Sequence, residues 1–241
     1  MILSTSIPKL DELLGGGLRK SSATLLLSTP GIKDLQFAQQ IAYARLLRGD
    51  MVVYLINNKK PIFLRKIFRE YDWDITLFEK RKQLLILDIY QKILDKASLD
   101  DLQSFILHSL KNIQKDALVV IDSLSSFIGV YGAHKKTLNF IKLLINSRNL
   151  TFVAILTNWL YKHSILSEIK SFFQCVVELK AIERDIILRN YFTVSKAQWI
   201  KNLHKQEILF DVVSPGGVKE YMPKILVTGP FNAGKSTFTH A

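Results

Sequence analysis

The sequence predicts an α/β domain, a mainly parallel sheet flanked by helices with an antiparallel hairpin at its C-terminal end. Three observations point there. Short apolar runs rich in Val, Ile and Leu alternate with longer segments of helical period. Turn residues such as Gly49-Asp50 punctuate them. Near the end two strand-like segments follow one another without a helix between them.

In chain order, residues 24–27 read as a buried strand and 35–48 as a helix, with apolar side chains recurring at Phe37, Ile41, Ala44 and Leu47. A strand is expected over 51–56, a helix over 61–70, a strand over 84–88 and a helix over 99–114. Residues 118–122 and 151–157 are two more buried strands, separated by a helix near 137–146. A short helix near 167–173 leads to a strand over 175–179. Residues 186–195 and 207–213 form the hairpin, and Ser214-Pro215-Gly216-Gly217 is a turn. At Pro223 the pattern restarts, with a strand over 224–228, so the expected division is 1–222 and 223–241.

With 241 residues, 48% hydrophobic and 22% charged, the chain can bury a substantial core. Its apolar runs are strand-length, short of the roughly 18 residues of a membrane span. The N-terminus lacks a signal-peptide pattern, and the single Cys175 excludes an intrachain disulfide framework. A cytoplasmic protein is the expectation. The formal charge of +12 raises nucleic acid or an acidic membrane surface as partners. With no block of like charge and no aromatic residues interleaved with Arg, a solvated surface is the favoured reading, and nucleic acid is expected to bind only weakly.

The opening stretch Ser6-Ile7-Pro8-Lys9-Leu10-Asp11-Glu12-Leu13-Leu14-Gly15-Gly16-Gly17-Leu18 resembles that of KaiC-like ATPases of the RecA superfamily. The likeness continues through Arg48-Gly49-Asp50 and the strand Val119-Val120-Ile121-Asp122-Ser123, similar to the family's Walker B, to the late strand over 189–196. It covers residues 1–221 and implies a RecA-like fold and an ATP site.

A phosphate loop surrounds its ligand with backbone N–H groups at a helix N-terminus, while Lys reaches the β and γ phosphates and Ser/Thr binds Mg²⁺. Aligned on the strand, that loop falls on Ser28-Thr29-Pro30-Gly31-Ile32-Lys33-Asp34-Leu35. Pro30 and Gly31 remain, but Asp34 stands at the lysine position and Leu35 at the metal-binding hydroxyl. A carboxylate there repels polyphosphate, and Leu cannot ligate a metal. Asp34 is expected as the helix N-cap. Lys33, one position away, would reach a nucleotide only in a remodelled loop. The resemblance also implies acidic residues after the second strand, where this chain has Asn57-Asn58-Lys59-Lys60, and a Lys and an Arg two residues apart on the late strand, where it has Lys196 and Gln198. Asp122 persists, as an eroded Walker B acid or as a cap for Ser125, Ser126 or a nearby backbone group. ATP is therefore not expected at this first site, no catalytic residue is assigned, and a monomer or weak oligomer is favoured.

Gly229-Pro230-Phe231-Asn232-Ala233-Gly234-Lys235-Ser236 fits the complete phosphate-loop pattern, directly after a strand and before Thr237. Lys235 would hold phosphates and Ser236 would bind Mg²⁺, with Gly229, Asn232, Ala233, Gly234 and Thr237 completing the site. Residues 223–241 resemble the start of a small Ras-like or MglA-like GTPase, which implies GTP and an incomplete second domain. The expected function is a regulatory or scaffolding pseudo-ATPase module with protein partners or a downstream GTPase domain. The alternatives are an unusual ATPase using Lys33 and a nucleic-acid-binding RecA relative.

Overall fold

The computed structural model describes residues 2–146, 149–158, 161–184 and 187–221. The opening segment makes a clasp. β1 (Ile2–Leu3) pairs antiparallel with β2 (Leu18–Arg19), and α1 (Pro8–Leu13) lies between them. Asp11 ties the clasp by accepting from the Ser4 hydroxyl at 2.6 Å and the Thr5 amide at 2.8 Å.

The αβ alternation then follows the sequence, with three short helices, at 76–80, 90–94 and 124–131, that it does not predict. β3 (Ala23–Ser28), α2 (Asp34–Leu47), β4 (Val52–Ile56), α3 (Pro61–Glu70), α4 (Thr76–Lys80) and β5 (Leu84–Asp88) follow one another. After α5 (Tyr90–Leu94) and α6 (Leu99–Lys111) come β6 (Leu118–Asp122), α7 (Leu124–Tyr131), α8 (Lys135–Ile145), β7 (Thr151–Thr157) and α9 (His163–Phe172). The chain ends its described part in β8 (Cys175–Arg184), β9 (Ile187–Ala197), β10 (Ile208–Val213) and β11 (Gly217–Tyr221).

Nine strands form one sheet in the order β11-β10-β9-β8-β3-β7-β6-β4-β5. From β8 to β5 every pairing is parallel, and from β8 to β11 every pairing is antiparallel. The inner parallel strands β3, β4 and β6 are buried on both faces, which is why they read as continuous apolar runs. Successive residues serve opposite cores. Leu26, Tyr54 and Val120 pack with Phe37 of α2 and Phe68 of α3, whereas Leu25, Val53 and Val119 pack with Ile106, Ile141 and Ile169 of α6, α8 and α9.

Phe37 joins the two halves of the sheet. Its ring meets Phe192 of β9 and Phe210 of β10 edge-on, at centroid distances of 5.6 and 4.9 Å. Burying such a ring is worth roughly 2–3 kcal/mol, so the hairpin end is bound to the helix that begins at the phosphate loop. The turn expected over 214–217 is shorter than the sequence suggests, because Gly217 already opens β11. Its φ is +92°, and a Cβ there would lie 2.5 Å from both Gln40 Oε1 and Trp73 Cζ2. Gly is required for both reasons.

Candidate functional site

The parallel strands deliver their carboxyl ends to one edge of the sheet, where open α/β sheets bind ligands. Four segments meet there: the loop from Ser28 to Asp34, residues 57–60 after β4, Asp122 and Ser123 after β6, and Thr157 and Asn158 at the end of β7. Backbone pairings hold the loop at its start. The Thr29 amide donates to Leu179 O at 3.0 Å, and the Asn158 amide donates to Ser28 O at 2.7 Å. Gly31 turns the loop with φ +87°, Ile32 plugs into the core, and Lys33 is exposed. Pro30 lies in the same turn.

Asp34 is not the helix N-cap. That position is Lys33, whose side chain makes no capping bond, and Asp34 is the first helical residue. Its carboxylate accepts from the Ser28 hydroxyl at the end of β3 and also faces the first amides of the helix, Asp34 and Leu35. Burial pushes its pKa up, and the charge of Asp122 adds to this, against the Ser28 hydroxyl and the Leu35 amide, which favour the ionised form.

Asp122 is buried, and it does not cap α7 either. Ser123 does, with its hydroxyl accepting from the Ser126 amide at 3.3 Å. The Asp122 carboxylate instead receives Lys59 Nζ at 2.5 Å, with Asn58 Nδ2 at 3.4 Å. Parallel pairing of Ile56 with Asp122 sets residues 57–59 beside that acid. Asn57 fixes the neighbouring backbone, because its amide group donates to Ser123 O and accepts from Ser123 N, both at 2.8 Å. Tyr54 lies fully buried below, its pKa raised well above the usual value by burial and by the charges of Asp122 and Asp34. Its hydroxyl has no hydrogen-bond partner among the described residues.

The Lys59–Asp122 pair is what sequence reading missed. Residues 57–60 stood out only for lacking carboxylates, while the parallel register of β4 and β6 was the signal for the contact. On the late strand, Lys196 Nζ donates to Lys170 O of its own α9 at 3.2 Å. Gln198 follows β9, its amide on Gln174 O at 3.0 Å. The second phosphate loop, with Gly229, Asn232, Ala233, Gly234, Lys235, Ser236 and Thr237, lies outside the described residues.

A parallel sheet with a loop–helix turn after its central β3, and an acid ending β6 with β7 between the two, defines a RecA-like P-loop domain. The chain belongs to the KaiC family, since the family described as "ATPase: KaiC" matches residues 3–225. A UPF0273 protein of Pyrobaculum aerophilum is 30% identical over 136 residues, covering 50% of this chain and 47% of that protein. The chain thus spans about half the length of the curated relatives it matches. A KaiC-like protein of Pyrococcus horikoshii superimposes with a TM-score of 0.76 at 21% identity, covering 92% of this chain and 99% of that one. The flagellar accessory protein FlaH of Methanocaldococcus jannaschii gives 0.75 at 17% identity, covering 92% and 98%. Among the described residues, no helix is long and apolar enough to cross a membrane.

Proposed function

We propose that residues 1–222 are a regulatory or scaffolding KaiC-family module that does not turn over ATP, working through protein partners and a linked nucleotide-binding loop at 229–236. The observation that supports this reading is the Lys59–Asp122 ion pair. In P-loop enzymes the acid ending this strand holds Mg²⁺. Here an ammonium of the same chain pairs with it, and the Asp34 carboxylate faces the first amides of the helix, where phosphate would bind. Positive and negative charges of the protein occupy the places of metal and ligand. Loss of nucleotide from a subunit boundary, with Lys196 turned onto its own α9, favours a monomer or weak oligomer.

Within a complete domain the linked loop would take GTP with Mg²⁺ on Ser236 and phosphates on Lys235, by its likeness to small GTPases. A second reading, an ATP-binding member using Lys33, is favoured by the family match and by the exposure of Lys33 at the start of α2.

Titrating fluorescent ATP and GTP against the 241-residue chain and against residues 1–222 separates these readings. No ATP binding by residues 1–222, and at best weak GTP binding by the 241-residue chain, is the expected result; micromolar GTP binding by this chain that Lys235→Ala removes would overturn the reading of 223–241 as an incomplete domain. Mg²⁺-dependent ATP turnover by residues 1–222, abolished by Lys33→Ala, establishes the second reading instead.

A further inference from the structure

Residues 57–69 contain five basic residues and no acidic one. Two of the five are committed to partners inside the protein, Lys59 to Asp122 and Arg65 to Glu79 at 2.8 Å. The other three, Lys60, Lys66 and Arg69, are exposed. α3 turns Leu64 and Phe68 into the core. Its helical spacing then places Ile62, Lys66 and Arg69 along the opposite face, with Phe63 beside Ile62 in the first turn. Ile62 is 66% exposed and Phe63 55%. The Arg65–Glu79 pair fastens α4 alongside, where Leu77 is 56% exposed and is followed by exposed Lys80, Arg81 and Lys82. Across residues 59–82 eight basic residues face four acidic ones. Of the four, Glu79 is paired with Arg65, and Glu70, Asp72 and Asp74 lie at and beyond the end of α3, with Asp74 feeling both Arg69 and Lys80.

We propose that this outer face of α3 and α4 docks on an anionic lipid bilayer, with Ile62 and Phe63 entering the interface and Lys60, Lys66 and the α4 cations meeting the headgroups. Two adjacent bulky side chains that stand mostly in solvent insert into a fluid interface, which needs no matching cleft. The cations around them supply charge complementarity to acidic lipid. An acidic protein segment would satisfy the cations but would leave the two apolar side chains in water. The proposal is independent of the nucleotide reading, because Ile62, Phe63, Lys66 and the α4 cations lie outside the four segments of the phosphate-loop site.

Co-sedimentation of the full chain with vesicles of phosphatidylcholine, alone or mixed with phosphatidylserine, tests it. Binding is expected only with phosphatidylserine, and it should weaken as salt rises. Lys66→Glu should lower partitioning by at least about five-fold, and the Ile62→Ser/Phe63→Ser double variant by at least about ten-fold. In Phe63→Trp, indole emission should shift to the blue on phosphatidylserine vesicles alone. Circular dichroism checks the fold of each variant, and if the double variant unfolds, Lys66→Glu and Phe63→Trp decide. Absence of vesicle binding overturns the proposal, as does binding that neither Lys66→Glu nor the double variant weakens. Equal affinity for soluble polyglutamate, insensitive to the double variant, would identify an acidic protein surface instead.

Discussion

Asp34 and Glu178 lie one strand apart near the same end of the sheet, on opposite faces, and their surroundings treat ionisation in opposite ways. Burial works against the charge of both. Asp34 has only a hydroxyl and backbone amides to answer it, with the Asp122 charge adding to the cost, and its pKa rises. Glu178 receives Lys170 Nζ at 2.8 Å and Lys180 Nζ at 2.9 Å, which overcome burial and bring it down to about 2. The Glu178 cluster on β8 is therefore a compensated one, whereas the phosphate loop holds its carboxylate at some cost. Asp122, beside that loop, shares with Glu178 a lysine partner, Lys59.

The largest test of this contrast is removal of a compensating cation. Lys59→Met leaves Asp122, only 3% exposed, without its counter-ion and should cost about 3 kcal/mol or more in urea denaturation. Replacing both members, Lys59→Met with Asp122→Leu, should recover most of that loss. If the single variant is neutral, the pair does not govern the site.

Glu178→Gln should act next most strongly, and its effect should depend on pH. The folded value lies below the ordinary 4.5, so Glu178 contributes stability above pH 4.5 that is lost as pH falls toward 2. The variant should melt below the parent at neutral pH, with the two curves converging in acid. A constant difference across that range would refute the ion-pair account.

Asp34→Asn should give the smallest change and the opposite sign. The folded protein holds the Asp34 proton more tightly than the unfolded chain, so stability falls as pH rises from about 3.8 through the raised value. Removing the charge should raise the melting temperature at neutral pH and leave it unchanged in acid. A drop at neutral pH would mean that the Ser28 contact outweighs burial.

Much of the fold was legible because buried parallel strands announce themselves as apolar runs. Leu84–Asp88, Leu118–Asp122 and Thr151–Thr157 fall where the sequence places them, as does the helix Pro61–Glu70 behind its proline. α7 escaped because Leu124–Tyr131 is apolar nearly all round and shows no polar face to set a period. β8 runs on to Arg184, past the expected end at residue 179, because its outer part pairs with β9 as a ribbon whose polar residues break the apolar pattern. β11 hid behind a Pro-Gly-Gly turn whose last glycine is a strand residue. At the site, the order of residues around Pro30, Gly31, Lys33 and Asp34 was readable, but their orientations were not. That Asp34 bonds Ser28 as well as the first helix amides depends on how the loop turns, and whether Asp122 is free depends on a lysine 63 positions away.

α2 starts at the phosphate loop and passes beside the last strand of the described chain. Its 14 residues make a rod of about 21 Å. Halfway along, Gln40 accepts from the Val218 amide of β11 at 2.7 Å and donates to Ser6 O at 2.8 Å, while the Lys9 amide reaches Glu220 at 2.7 Å. Gly217 leaves no slack between that helix and Trp73. The helix is thus a push-rod geared to the strand that hands the chain on at Tyr221. A small axial slide of α2, which also grips the parallel strands through Phe37 and Ile41, would reach β11 through Gln40.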